Sequence, residues 1–68
     1  MPLWTPVEVV GLLLRDAQGL ILRPDGGGEW RLDAPAKYFA LANQRVRVTG
    51  VRSGFNQIDV QTMEKVRA

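Results

Sequence analysis

Arg45-Val46-Arg47-Val48-Thr49-Gly50, followed by Arg52-Ser53-Gly54-Phe55-Asn56 and Gln57-Ile58-Asp59-Val60-Gln61, is the stretch that decides the fold. Two runs alternate polar and apolar residues with period two, and a short connection containing Gly54 separates them. Successive side chains of a strand point to opposite faces, so this pattern describes two half-buried antiparallel strands joined as a hairpin. Val46 and Val48 share one face, as do Ile58 and Val60. Arg45, Arg47, Gln57, Asp59 and Gln61 take the opposite one. Residues 60–63 can extend the last strand, 64–67 are ambiguous, and 63–68 read as a tail.

Working upstream, residues 34–43 (Ala-Pro-Ala-Lys-Tyr-Phe-Ala-Leu-Ala-Asn) change character. Alanine, leucine and lysine favour a short helix or helical turn near 35–43, with Pro35 in its first turn and Asn43 at its end. Asp33 is a candidate N-cap, and Phe39 with Leu41 or Ala42 should face inward. Glu29-Trp30-Arg31-Leu32-Asp33 alternates cleanly, with Trp30 and Leu32 on one side and the charged residues on the other. Pro24-Asp25-Gly26-Gly27-Gly28 before it ends a strand at 20–23 and permits a reversal. Asp16-Ala17-Gln18-Gly19 reads as a tight turn with Gly19 available for a positive φ. Residues 7–15 are a Val- and Leu-rich strand in which Gly11 marks a bulge or sharp bend.

The order is strand, strand, strand, short helix, strand, strand. Five short strands make too thin a sandwich but can close into a small barrel whose open end the helix plugs. The predicted fold class is therefore all-β: a five-stranded Greek-key barrel of the oligonucleotide/oligosaccharide-binding (OB) type, with an SH3-like barrel as the alternative. The whole of 1–68 reads as one domain with a core at 7–62 and extended or flexible termini at 1–6 and 63–68.

Composition narrows the function. The chain has 68 residues, near the lower limit for unaided folding. It contains no cysteine and no histidine, which removes disulfides, cysteine zinc sites and the common general bases and nucleophiles. Ser53, the only serine, has no imidazole to activate it. No enzyme, cofactor or metal is expected. The formal net charge of +2 gives a modest field that permits nucleic acid without demanding it. No signal peptide or membrane-spanning run is visible, so a soluble cytoplasmic protein without a membrane partner is expected.

The segments Val9-Val10-Gly11, Gly26-Gly27-Gly28-Glu29-Trp30-Arg31-Leu32, Arg45-Val46-Arg47-Val48-Thr49-Gly50 and Gly54-Phe55-Asn56-Gln57-Ile58-Asp59-Val60 also carry a resemblance. The chain resembles a family of small, uncharacterised bacterial proteins with an OB-like pattern, over roughly 7–60. That resemblance implies the fold and brings no established activity with it.

Binding is the natural use of such a barrel. Its usual ligand surface lies on strands two and three, flanked by the loops after strands one and four. Single-stranded nucleic acid needs cations for the backbone and aromatic platforms for the bases. The candidates are Arg45, Arg47 and Arg52 for phosphates and Phe55 for stacking, with Arg31 and Arg23 on the neighbouring strands. Several features weigh against a strong site. Glu29 and Asp33 dilute the charge around Arg23 and Arg31. Solvated strand-face charge is the commoner role for such arginines. Phe55 is either a stacking surface at a loop tip or a core residue folded under the loop, and the core is the commoner place. Trp30 goes to the core with Leu32. Gly26-Gly27-Gly28 lacks the Lys-Ser/Thr ending of a phosphate loop and is a turn. The alternative function is protein interaction or self-assembly, including a homodimer, through exposed β edges and Trp4.

Overall fold

The computed structural model describes residues 5–66. Five strands form in chain order: β1 (Pro6–Asp16), β2 (Gly19–Pro24), β3 (Trp30–Asp33), β4 (Arg45–Arg52) and β5 (Gln57–Lys65). A 3-10 helix at Ala36–Leu41 lies between β3 and β4. The strands close into one sheet in the order β1-β2-β3-β5-β4, with β4 paired back onto β1. All neighbours are antiparallel except β3 and β5, which run parallel. The five-stranded closed sheet with one short helix is the arrangement that the sequence pattern predicts.

Closure forces β1 to serve two partners. Residues 6–12 pair with β4, while residues 11–16 pair with β2. The changeover falls at Gly11, where a Cβ would run into the backbone carbonyl of Arg23. Glycine is required there because β2 passes too close for any side chain. The turn after β1 holds Ala17 and Gln18 between the paired Asp16 and Gly19. Gly19 adopts φ 131°, and the Asp16 carboxylate accepts a hydrogen bond from the Gln18 amide at 2.8 Å.

The core is what alternation leads one to expect, with one addition. Leu13, Leu20, Leu22, Leu32, Val46, Val48, Ile58 and Val60 are buried, and so is Met63. The boundary expected at 62 is therefore too early: β5 runs on to Lys65, and the Val66 amide donates to the Arg45 carbonyl at 2.9 Å. The cause is a bulge. Thr49 pairs with Thr62 but Gly50 pairs with Val60, which leaves Gln61 as an extra residue. Gln61 and Thr62 both face outward, so the inward phase resumes at Met63.

The helix differs from expectation in type and in its start. Asp33 stays in β3, and the cap position is Pro35, which has no side-chain hydrogen bond to offer. Tyr38 donates to the Pro35 carbonyl and Ala42 to the Phe39 carbonyl, three residues back in each case. Asn43, at φ 67°, ends the segment as expected. Its amide bonds the Leu13 carbonyl at 2.6 Å, and Leu13 donates to the Gln44 carbonyl at 2.9 Å. The chain is thus drawn onto β1 before a full α-helical ladder can form. Tyr38, Phe39 and Leu41 pack against the core from this end.

Candidate functional site

Arg45 and Arg47 lie on the outer face of β4, exposed, as strand parity requires. Two residues separate them along the strand, which places them about 7 Å apart. Neither is a free cation. Arg45 forms an ion pair with Asp25 in the loop after β2. Arg47 sits between Glu8 of β1 at 3.6 Å and Glu64 of β5 at 3.2 Å. Arg23 faces Glu29 at 3.8 Å. Arg31 reaches across the sheet to Asp16, with both guanidinium nitrogens 3.1 Å from the two carboxylate oxygens. That paired hydrogen bond, helped by the Gln18 amide, holds the Asp16 carboxyl below its ordinary range and pushes Arg31 further up.

Arg52 is separate from Arg45 and Arg47. It stands at the far end of β4, roughly 23 Å of strand away from Arg45. It also has the opposite parity, sharing the inward phase of Val46 and Val48, directly across from Ile58. A guanidinium cannot stay in an apolar interior without partners, so it leaves through the barrel end. There it lies 6.0 Å from the ring centre of Trp30, which is half-buried against the core. Its Nε donates to the Gly54 carbonyl at 2.9 Å, and a terminal nitrogen donates to the Phe55 carbonyl at 2.8 Å.

These bonds organise the loop at 53–56. The Ser53 amide donates to the Gln57 carbonyl at 2.9 Å, closing the loop at its base. The Arg31 amide of β3 donates to the Asn56 carbonyl at 2.8 Å. Three successive carbonyls, those of 54, 55 and 56, are therefore held by donors of the protein. The Phe55 side chain points away from all of this and is 89% exposed. The expectation that it folds under the loop is overturned: Arg52 occupies the inner side, and the aromatic ring is left outside.

The expected cluster thus divides. The structure brings together Arg52, Phe55, Trp30 and the backbone of Arg31. It does not bring Arg45, Arg47 or Arg23 to them, and it matches each of those three with a carboxylate. Two aromatic–cation contacts at the other end of the molecule carried no signal in the strand pattern. Arg15 lies 4.3 Å from the Phe39 ring centre and Lys37 lies 5.2 Å from that of Tyr38. Each of the five strands has a neighbour on both sides, but β5 pairs with β3 only over residues 57–59, so among the described residues the edge expected on the last strand stays without a partner strand along residues 60–65 on that side. Trp4, the other residue expected to make contacts, lies outside the described residues.

These features define a small all-β domain made of one closed five-stranded sheet, with an ordered loop that holds an aromatic ring in solvent. Residues 10–66 match the family described as Protein of unknown function (DUF5818), and the chain belongs to that family. This agrees with the resemblance to a family without an assigned activity. Comparison with curated proteins and with solved structures finds no match. Among the described residues no helix is long and apolar enough to cross a membrane.

Proposed function

We propose that this domain is a non-catalytic OB-type binding module that takes single-stranded nucleic acid at the loop 53–56, with a base stacked on Phe55. The observation that carries the reading is an 89% exposed phenylalanine on a loop whose carbonyls are already bound by Arg52 and Arg31. Ordering the loop in advance lowers the entropic cost of binding and presents the ring as a platform. The place also fits, since this loop follows strand four and borders the start of β3. Arg45, Arg47 and Arg23 contribute little here, because an approaching phosphate must compete with carboxylates that already hold them. Binding in this reading rests on stacking more than on charge, so its salt dependence is shallow.

The test is titration of a fluorescently labelled single-stranded oligonucleotide at two salt concentrations. Wild type binds, Phe55→Ala weakens binding by about 5- to 150-fold, as expected for about 1–3 kcal/mol of base stacking, and Arg45→Gln with Arg47→Gln changes it little. Absence of binding by wild type at low salt removes the nucleic-acid reading. A second reading has its own support: the carboxylate-matched arginines suit a protein partner better than a polyanion, with Phe55 as the anchor in a partner's pocket.

A further inference from the structure

We infer that the outer face of β1 and β2 is a docking surface for a second copy of this chain. Gly11 and Leu13 of β1 are buried, so Val10, Leu12 and Leu14 point outward. Leu14 stands directly across from Ile21 of β2, which has the same outward parity. Leu12 is 41% exposed, and none of these four side chains belongs to the residues packed on the core. A sheet face turned to water ordinarily carries polar residues at such positions. The first three outward positions of β4, Arg45, Arg47 and Thr49, follow that rule. On β1, residues 9–14 are apolar on both faces, Gly11 included, as in a strand covered from both sides.

Charge identifies the occupant. Leu12 is in register with Arg23 on one side and Arg45 on the other. Arg23 carries Glu29 beside it, Arg45 carries Asp25, and Arg47, next to Val10, carries Glu8. Arg47 also carries Glu64, and Arg31, across from Ile21, carries Asp16, so the rim mixes cations and anions all round the patch. A nucleic acid or an acidic peptide calls for a rim of one sign. A second copy brings the same apolar centre and the same mixed rim, and a two-fold axis sets its anions against these cations. The surface uses none of the residues of the loop 53–56, so it stands or falls apart from the nucleic-acid reading.

Sedimentation equilibrium of the full chain from micromolar to millimolar concentration tests this, together with amide chemical shifts over the same range. The expected result is a mass rising from 7.6 kDa toward twice that value, with concentration-dependent shifts centred on residues 10–14 and 21–23. Leu12→Glu, checked for an unchanged melting transition, raises the dissociation constant about a hundredfold, because one substitution enters an isologous contact twice. A monomer throughout the range overturns the proposal. So does a dimer that Leu12→Glu leaves intact, or one whose shifts map to another face. Should Leu12→Glu unfold the chain, the wild-type shift map decides the matter alone.

Discussion

At the scale of single residues, Arg52 explains Phe55. An arginine at an inward strand position has to find hydrogen-bond acceptors, and the nearest are the carbonyls of the loop that follows it. Arg52→Ala removes two charge-assisted hydrogen bonds and costs on the order of 1–2 kcal/mol. Faster amide exchange across 53–57 and a lower melting temperature check it. Phe55→Ala leaves stability within about 0.5 kcal/mol, because a ring so exposed contributes little to packing. The combination separates a residue that builds the loop from one that uses it. Part of this was legible in the sequence, since counting by two from Val46 and Val48 puts Arg52 inward. The exposure of Phe55 was not, because alternation stops at the loop and says nothing about which side of it a ring takes. The ion pairs of Arg45 and Arg47 were equally hidden. Asp25 and Glu8 lie far away in the chain and arrive only when the sheet closes.

Among the elements, β5 shows where period-two reasoning loses its phase. The pattern Ile58, Val60 continues to Thr62 if every residue is counted, and that count leaves Met63 outside. The extra Gln61 shifts the phase by one and turns Met63 inward, across from Val48. Gly50 supports the bulge, because a Cβ there would strike the carbonyl of Asp59. Met63→Ala therefore costs about 2–5 kcal/mol, in the range of other large-to-small core changes. Thr62→Ala stays within about 0.5 kcal/mol. Denaturant unfolding of the two variants checks the order, and a larger loss at Thr62 means that the uninterrupted register is the real one. The helical segment makes a similar point. Composition located it, and the pull of Leu13 on Asn43 and Gln44, invisible in composition, set its 3-10 form.

For the whole molecule, closure without disulfides leaves a small apolar interior wrapped in paired charges. Five ion pairs join the described residues across the outside, and one of them, Arg47 with Glu8, spans the β1–β4 pairing that closes the sheet. Exposed pairs of this kind add little individually, and each of them depends on an ionised carboxylate. Protonating the seven carboxylates takes the side-chain charge from +2 to +9, and the chain then repels itself. Asp16 has a share in this response, because the Arg31 hydrogen bond lowers its folded pKa beneath the unfolded value. A carboxyl that binds its proton less readily when folded gives its full stabilisation above the ordinary aspartate range, about pH 4. That stabilisation is lost as the pH falls through the lower, folded value. The melting temperature is thus expected to be level near neutrality and to fall steeply below about pH 4. Asp16→Asn lowers it at neutral pH and flattens the acid limb, while added salt raises it at pH 3 more than at pH 7 by screening the nine cations. Melting curves of both proteins across pH, at two ionic strengths, measure each part. An acid limb of unchanged steepness in Asp16→Asn shows that the Asp16–Arg31 pair has no share in acid unfolding.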